Sequence, residues 1–405
     1  MKCPLFGLQE ESGLPLRGLH VIEIGVIVSG PTAGLILADL GADVTKIENI
    51  EGGDPNRENT GAPGTGQFDF LNRNKRSIAI NLKTALGREV FLRLAKECDV
   101  IIENLGPGTA ASLGVDYSDV IKVNPSVIYC SIKGFGEGVY SQRKMTDYPA
   151  QAESGLAYMT GLRDRPMRAG ASVLDMMAAN MAVIAILSSL LRSSLKGMRR
   201  GEKIVVGLFE TGAFLMGPII SKYYQNHEIP QPLNEVPFRW AIYDFFKMSN
   251  GKKVFIGIIN DKQWNLFCHT FGLESLRDDP RFATNSARLQ NKQVLVEKIQ
   301  EELLKLRPEE TLRLLEKADI PYAILNRPDE LIHHPQLEHK MLSYVSCYNS
   351  KKIKLPALPI ESSAFRYVVR NPAPKLGEHT KERLLQLGYT IDEIIDLRRK
   401  GVISY

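Results

Sequence analysis

Two aspartates are the strongest candidates for catalytic side chains in this sequence. Asp175 stands directly before an uncharged apolar stretch, residues 176–191, and Asp147 lies in the polar segment 144–148. A carboxylate at a helix start can accept hydrogen bonds from free backbone N–H groups and meets the positive end of the helix dipole. The same carboxylate can attack an activated acyl carbon, because it is ionised at neutral pH and needs no histidine base. From the residues alone, capping is favoured for Asp175 and an exposed loop charge for Asp147.

Histidine- and cysteine-based chemistry has little support. The seven histidines leave residues 21–226 without one, and the adjacent His333 and His334 cannot share a helix face as two zinc ligands do. No two of the five cysteines have the spacing C-x-x-C, and the nucleophile pattern G-x-S-x-G is absent. The sequence therefore disfavours a histidine-dependent hydrolase, and it predicts no metal site.

The segment 25–34, Gly-Val-Ile-Val-Ser-Gly-Pro-Thr-Ala-Gly, could present backbone N–H groups at a helix start to an anion. Glu48 falls about where the acid that contacts an NAD ribose would lie. However, the spacing is not G-x-G-x-x-G, and Pro31 has no N–H to offer. A dinucleotide site is therefore disfavoured.

Basic residues occur in short runs, at 73–76, 83, 143–144 and 196–203, and such runs are usually solvated surface. Lysine and arginine total 51 against 46 acidic residues, which gives a formal net charge of +5. This small excess is compatible with a polyanionic small molecule. It is too weak and too scattered to indicate a nucleic-acid partner.

A scaffold for these residues is indicated by the first 135 residues, which alternate strand-like and helix-like segments. Strand and helix at this rhythm predict a parallel sheet with helices on both faces, an α/β fold. The predicted strands are residues 20–26, 43–47, 77–82, 99–103 and 126–132, and the predicted helices are residues 31–41 and 85–97.

Two domains are predicted. Residues 226–237 hold three prolines in twelve positions, which is typical of a linker. A smaller mixed region follows, with a strand at 253–259 and helices at 261–271 and 290–306, and the pattern changes again near residue 320. We expect a large domain over residues 1–225, completed by 325–405, and a small α+β domain over 226–324.

The composition of the 405 residues is that of a globular protein, with 44% hydrophobic and 24% charged residues. We expect no signal peptide, because the first 18 residues contain two glutamates and lack an apolar core. The stretch 176–191 is shorter than a membrane span and is predicted to be a buried core helix. Isolated cysteines fit a reducing compartment, so a cytoplasmic location with no membrane partner is expected.

In order along nearly the whole chain, the motifs resemble those of the class III CoA-transferases. This family includes formyl-CoA:oxalate and carnitine CoA-transferases and alpha-methylacyl-CoA racemase. The matching motifs are LRGLHVIE at 16–23, GPTAG at 30–34, LADLGADV at 37–44, KIE at 46–48, GGDP at 52–55, NKRS at 74–77, EN at 103–104, PG at 107–108, KGF at 133–135, QAESG at 151–155, the segment around Asp175, DPRF at 279–282, TN at 284–285 and LGEHT at 376–380.

The resemblance implies a Rossmann-like large domain that includes both chain ends, a smaller domain, and a homodimer of two chains interlocked like linked rings. It also implies that Asp175 attacks the thioester of an acyl-CoA donor. The family's chemistry then runs through a mixed anhydride and an aspartyl-CoA thioester, with a small carboxylic acid as acceptor. Asp147 matches an acidic position thought to assist these steps.

Coenzyme A is thus expected as a substrate, not as a tightly bound cofactor. The resemblance places its contacts in four segments that are far apart in the sequence. These contacts are Val28, Ser29, Ile80, Asn81, Leu82, Lys83, Asn104, Leu105, Gly106, Lys144 and Met145.

Several positions depart from the transferase pattern. Ser112 and Asn49 stand where arginines commonly contact the CoA phosphates and nucleotide, so phosphate contacts are expected instead from Arg73, Arg76 or Lys144. The glycine-rich loop that closes the oxalate pocket has no counterpart between residues 229 and 251. Residues 237–244, with Arg239, are a candidate lining for the acceptor pocket instead.

Two alternatives to a transferase remain. A 2-methylacyl-CoA racemase of the same fold needs a histidine before the acid at position 147, where this chain has Thr146. A non-catalytic CoA-binding protein would not require an intact Asp175. For a transferase, succinyl-CoA with a small dicarboxylate is the predicted substrate pair.

Overall fold

The computed structural model describes residues 13–57, 66–197, 200–236, 239–346 and 351–405, and it divides the chain into two compact units. The larger unit comprises Met1–Glu235 with His339–Tyr405, and the smaller unit comprises Val236–Glu338. The first boundary falls ten residues after the predicted one, because the proline-rich segment is bonded to the larger unit. Tyr158 donates its hydroxyl to the carbonyl of Pro230 at 3.1 Å, and the Leu233 N–H donates to Met159 O at 3.2 Å.

The strands in the described part of the chain are β1 (His20–Ile24), β2 (Asp43–Glu48), β3 (Lys75–Ile80), β4 (Val100–Glu103), β5 (Ile128–Lys133), β6 (Glu202–Gly207), β7 (Tyr243–Lys247), β8 (Lys253–Gly257), β9 (Tyr322–Ile324), β10 (Met341–Val345), β11 (Lys352–Pro356) and β12 (Ile403–Ser404).

The α-helices in the same ranges are α1 (Ser29–Asp39), α2 (Gly66–Asn72), α3 (Ala85–Lys96), α4 (Thr109–Leu113), α5 (Tyr117–Val120), α6 (Asp147–Glu153), α7 (Leu156–Thr160), α8 (Val173–Lys196), α9 (Leu208–Leu215), α10 (Gly217–Asn226), α11 (Asp261–Phe271), α12 (Glu274–Arg277), α13 (Asn285–Gln290), α14 (Lys292–Lys305), α15 (Pro308–Lys317), α16 (Thr380–Gln386) and α17 (Ile391–Arg399). Short 3-10 helices occur at Pro55–Arg57, Pro280–Phe282, Pro328–His333 and Pro335–Leu337.

The larger unit is built on a seven-stranded sheet in the order β12-β3-β2-β1-β4-β5-β6. Strands β1 to β6 are parallel, and β12 pairs antiparallel with β3 at the edge. The predicted parallel α/β sheet is therefore confirmed. Strands β1 to β5 are almost wholly buried because helices cover both faces, which explains their continuous apolar runs. The edge strand β6 is only partly buried.

Two apolar cores lie on opposite faces of this sheet. One contains side chains of α3, α16 and α17, and the other contains side chains of α1 and α8. The strand order reverses beside β1, since β2 lies on one side of it and β4 on the other. In open parallel sheets, ligands bind at the carboxyl ends of the strands at such a switch point.

The smaller unit has its own core. Strands β7, β8 and β9 form an antiparallel sheet, and its buried side chains include Phe246, Trp264, Phe282 and Leu315. Arg239 of the predicted acceptor segment is exposed in this unit, whereas residues 237 and 238 of that segment lie outside the described residues.

Helix α8 is long and apolar enough to cross a membrane by length and composition alone. One face, with Leu174, Ala178 and Ile186, packs in the core beside α1. The other face exposes Leu191 and Leu195, with 60% and 78% of their surface accessible. The predicted buried core helix is therefore correct for one face only.

Candidate active site

The candidate site lies at the carboxyl edge of the large sheet, where the loops after β1 and β4 meet. Asn104, directly after β4, accepts a hydrogen bond from the Val26 N–H and donates to the Val26 carbonyl, both at 2.9 Å. The Asn104 amide also donates to the Ser29 hydroxyl at 2.9 Å. Gly30 is required here, because a Cβ on this residue would come within 2.8 Å of the Asn104 side-chain oxygen. The first turn is thus fixed to the neighbouring strand.

Ile27, between β1 and α1, has a backbone φ of 67°. A β-branched residue rarely adopts this left-handed conformation, which costs about 1–2 kcal/mol. Hydrogen bonds on both of its backbone groups maintain it. The Ile27 N–H donates to Asp54 at 3.3 Å, and the Asn56 amide donates to the Ile27 carbonyl at 2.6 Å. Strained backbone of this kind is concentrated at functional sites.

An ion cluster lies beneath this turn, fully shielded from solvent. The Lys46 ammonium lies 2.8 Å from Glu23 and 2.9 Å from Asp54, and Lys75 lies 2.6 Å from the other Glu23 oxygen. Burial alone would lower the pKa of Lys46, but the two carboxylates outweigh it and raise the pKa. Burial lowers the pKa of Lys75 to about 8, although Glu23 opposes the shift. The cluster joins β1, β2 and β3 below the site.

Glu48 is part of the same framework and not a ribose ligand. Its carboxylate pairs with Arg57 and accepts hydrogen bonds from the Ser77 hydroxyl at 2.6 Å and the Asp54 N–H at 3.0 Å. Burial raises its pKa, yet the Arg57 guanidinium and Lys46 more than reverse this and lower it. The sequence-based rejection of a dinucleotide site is consistent with these contacts.

The helix that carries Asp175 is capped by a different aspartate. One oxygen of Asp147 accepts the N–H groups of Leu174 at 2.9 Å and Asp175 at 3.2 Å, in the first turn of α8. The other oxygen accepts the Gln151 amide at 2.6 Å. Because Asp147 satisfies these helix N–H groups, the Asp175 side chain is not needed as a cap. The capping role favoured for Asp175, and the exposed loop charge favoured for Asp147, are both wrong.

The half-buried Asp175 carboxylate is poorly compensated in charge. Burial and the neighbouring Asp147 raise its pKa to about 6, while a hydrogen bond with Ser29 and the charge of Arg168 oppose the shift. Ser29, which accepts the Asn104 amide, therefore lies next to Asp175 at the switch point. The carboxylate remains mainly ionised at neutral pH and has no cation in direct contact with it among the described residues.

The predicted CoA contacts follow the carboxyl ends of β1, β3, β4 and β5, so the fold brings all four segments to one edge. Ile80 and Leu82 have their side chains in the hydrophobic core, so only their backbone can face a ligand. The Asn81 N–H donates to the Val402 carbonyl just before β12, and the Asn81 side-chain oxygen accepts the Lys83 N–H. The side chains of Lys83 and Lys144 are exposed. Leu105 and Gly106 follow Asn104 directly, and Met145 is half-buried against the α1 and α8 core.

The basic residues predicted to bind phosphate differ in availability. Arg73 is fully buried and pairs with Asp39 at 2.6 Å, so the prediction that it could bind phosphate is wrong. Arg76 is one-third exposed but pairs with Asp43 at 3.1 Å and with Glu382 at 3.0 Å. Lys144 is therefore the most accessible of the three.

Sequence reasoning missed two arginines. Ser112 lines a cavity of about 620 Å³ between α3 and the α4–α5 segment, and Arg88 lines the same cavity. The Arg88 side chain packs on Gly114 and has no ion-pair partner in the described ranges. Arg168 lies beside Asp147, with the two charged groups 3.4 Å apart. Neither residue forms a charge run, so only the fold reveals them. No group of three or more metal-ligating side chains occurs in the described chain.

The fold is that of an α/β enzyme with its candidate site at the carboxyl edge of the sheet. The family model described as CoA-transferase family III matches residues 16–380. A succinate–glutarate CoA-transferase of Agrobacterium fabrum is 33% identical, over 92% of this chain and 96% of its own length. A succinyl-CoA:glutarate CoA-transferase of Mus musculus is 32% identical, over 97% of this chain and 91% of its own.

A solved structure agrees with these relatives. The CAIB/BAIF family protein from Brucella suis matches with a TM-score of 0.84 at 31% identity, over 93% of this chain and 100% of its own. The chain belongs to CoA-transferase family III. It is an enzyme that transfers CoA between acids, and the resemblance seen in its motifs is confirmed.

Proposed function

We propose that this enzyme transfers CoA from an acyl-CoA to a carboxylic acid with Asp175 as the covalent carrier. The observation that carries the proposal is that two aspartates have different roles at the start of α8. Asp147 holds the helix N–H groups, which leaves the half-buried Asp175 carboxylate beside Ser29 and free to react.

The proposed steps balance without a proton or a redox partner. An Asp175 oxygen attacks the thioester carbonyl, the C–S bond breaks, and a mixed anhydride and CoA thiolate form. The thiolate attacks the aspartyl carbonyl and the C–O bond of the anhydride breaks. The donor acid departs, and an aspartyl-CoA thioester remains on the enzyme. The acceptor carboxylate attacks this thioester and the thiolate leaves again. The thiolate then attacks the acceptor carbonyl, which restores Asp175.

Each acylation removes the negative charge of Asp175. This relieves the cost of its burial and its repulsion by Asp147, the two causes that raise its pKa. A nucleophile held in this way is less stabilised before the reaction than a solvated aspartate would be. The site thus favours the covalent intermediates relative to the free carboxylate.

We propose that CoA lies along the sheet edge, with its reactive end at Ser29 and Asn104 and its phosphates toward Lys83 and Lys144. Arg88 supplies the charge that Ser112 and Asn49 lack. It lines the cavity beside Ser112 and has a free guanidinium in the described structure, and such a group can bind phosphate with two hydrogen bonds.

The relatives' names support dicarboxylic acids as substrates. The Agrobacterium and mouse enzymes are named for succinate or succinyl-CoA and glutarate. We therefore propose succinyl-CoA as donor and a small dicarboxylic acid as acceptor.

An interlocked homodimer is also proposed. Helices α8, α9 and α10 pack in series, and they and the segment after them expose large apolar side chains. Exposed apolar patches mark sites of protein–protein contact. These residues are Ile184, Leu191, Leu195, Phe214, Ile220, Tyr224, Ile229 and Leu233. A second copy of the chain would cover them.

Trapping of the intermediate tests the proposal. The enzyme is incubated with succinyl-CoA, quenched with hydroxylamine, digested and examined by mass spectrometry. We expect an aspartyl hydroxamate on the peptide that contains Asp175, and none in Asp175→Asn, which should still bind CoA. Normal turnover by Asp175→Asn, or turnover by the wild type without any modified Asp175 peptide, would exclude the covalent route.

A further inference from the structure

Arg168 lies beside Asp147, near enough to Asp175 for its charge to act on that carboxylate, and only part of its guanidinium is hydrogen-bonded by the protein. Its terminal nitrogen Nη2 lies 3.4 Å from Asp147 and 3.1 Å from the Ser172 hydroxyl, while its Nε and Nη1 have no hydrogen-bond partner among the described residues. The side chain is 46% exposed, and the guanidinium lies 5.8 Å from the centre of the Tyr148 ring. Nε and Nη1 therefore remain free as donors, and each two-bond edge of the guanidinium combines one of them with Nη2.

Asp147 does not require Arg168 as its partner. The carboxylate of Asp147 already accepts two backbone N–H groups and the Gln151 amide, at distances from 2.6 to 3.2 Å, all shorter than its contact with Arg168. The backbone beside Arg168 is nevertheless fixed, because the Ala169 N–H donates to the buried Gln151 at 2.9 Å. The protein thus positions this arginine next to the site without saturating it.

An anionic substrate needs such a cation. When Asp175 carries an acyl group or CoA, the buried charge of Asp147 remains and repels an approaching carboxylate. A guanidinium binds a carboxylate with two parallel hydrogen bonds, and a lysine cannot reproduce this geometry. At Arg168 these two bonds use Nη2 together with Nε or Nη1, so the substrate carboxylate replaces the long 3.4 Å contact with Asp147.

We infer that Arg168 binds the reacting carboxylate of the acceptor acid and holds it beside the acylated Asp175. The inference rests on the proposed function and adds the residue that recognises the acid. By microscopic reversibility, the same arginine holds the donor's acid as it leaves. Arg168 then acts on free acids and not on the acyl-CoA, in which that carboxyl group is a thioester.

The test compares Arg168→Met and Arg168→Lys with the wild type. Arg165→Met is the matched control, since Arg165 is exposed in the same loop and its side chain forms no hydrogen bond or ion pair with the described residues. One assay measures the incorporation of isotopically labelled succinate into succinyl-CoA. A second assay uses glutarate as the acceptor acid. It yields kcat, the KM for acid and the KM for succinyl-CoA, while the Kd for CoA is measured separately.

We expect Arg168→Met to raise the KM for acid about 10- to 100-fold, the range for a lost charge-assisted pair. The KM for succinyl-CoA and the Kd for CoA should change less than about twofold. Arg168→Lys should fall between this variant and the wild type, and it provides the answer if the methionine variant does not fold. Arg165→Met should match the wild type.

Three results would overturn the inference. A purely structural role at Asp147 would lower the thermal midpoint and kcat without changing the KM for acid. Recognition of the distal carboxylate would raise the KM for succinyl-CoA together with that for succinate. Equal losses in Arg165→Met would indicate a general charge effect. Absence of exchange in the wild type would instead count against the proposed substrates.

Discussion

Glu48 and Asp54 in the ion cluster, and Asp175 at the start of α8, are carboxylates of the same unit that differ in how their charge is compensated. Burial raises the pKa of all three. At Glu48 the Arg57 guanidinium reverses the shift, and at Asp54 the Lys46 ammonium does so, so both pKa values are lowered. At Asp175 burial and Asp147 act together, and the pKa rises to about 6.

This difference in charge compensation distinguishes carboxylates that hold the structure in place from a carboxylate that can react. A carboxylate tied to a buried cation would lose that pairing if it were acylated, so it suits a framework. Asp175 has a hydroxyl partner and a second carboxylate nearby, so loss of its charge relieves an unfavourable interaction. The ion cluster fixes the turn that carries Ser29, and Ser29 in turn contacts Asp175.

The largest effect is expected when the ion cluster loses its central cation. Lys46→Met leaves Glu23 and Asp54 buried with one cation fewer, which should lower the free energy of unfolding by about 3–5 kcal/mol. Arg76→Met is the control, because its ion pairs are partly exposed and worth about 1 kcal/mol or less. Urea unfolding at one protein concentration measures both. Similar losses in the two variants would show that burial does not distinguish these pairs.

Much of the sheet could be predicted from the sequence, because buried parallel strands are continuous apolar runs. β12 could not, since its two residues are too short to show any period. The ionic contacts could not be predicted from the sequence either. Asp147 caps a helix that begins 26 residues later, and Arg73 pairs with an aspartate 34 residues earlier. Such pairings depend on how α6 packs on α8 and how α1 packs beneath β3, which no local pattern records.

Stability should rise when the reactive carboxylate is removed. The pKa of Asp175 is about 6 in the fold and about 3.9 in an unfolded chain, so the fold favours the protonated form. Its stabilising contribution is complete below about pH 4 and is lost as the pH rises through 6. Asp175→Asn should therefore unfold at higher urea concentration at pH 8, by about 1–3 kcal/mol.

Two controls sharpen this second comparison. Asp164→Asn changes an exposed acid in a nearby loop and should leave the unfolding midpoint unchanged. The advantage of Asp175→Asn over the wild type should shrink at pH 4, where the wild-type carboxyl group is protonated in the fold. A variant less stable than the wild type at pH 8 would mean that Asp175 is compensated after all, as Glu48 is.

The smallest effect concerns the influence of one carboxylate on the other. The wild-type kcat/KM should fall below about pH 6, because protonated Asp175 is not a nucleophile. Asp147→Asn keeps an oxygen for the α8 N–H groups but removes the negative charge, so the pKa of Asp175 and the acidic limb should move to lower pH. Arg168→Met removes a positive charge and should move the limb to higher pH. If the acidic limbs of kcat/KM against pH coincide in all three proteins, burial alone raises the Asp175 pKa. The contrast with the ion cluster then does not depend on neighbouring charge.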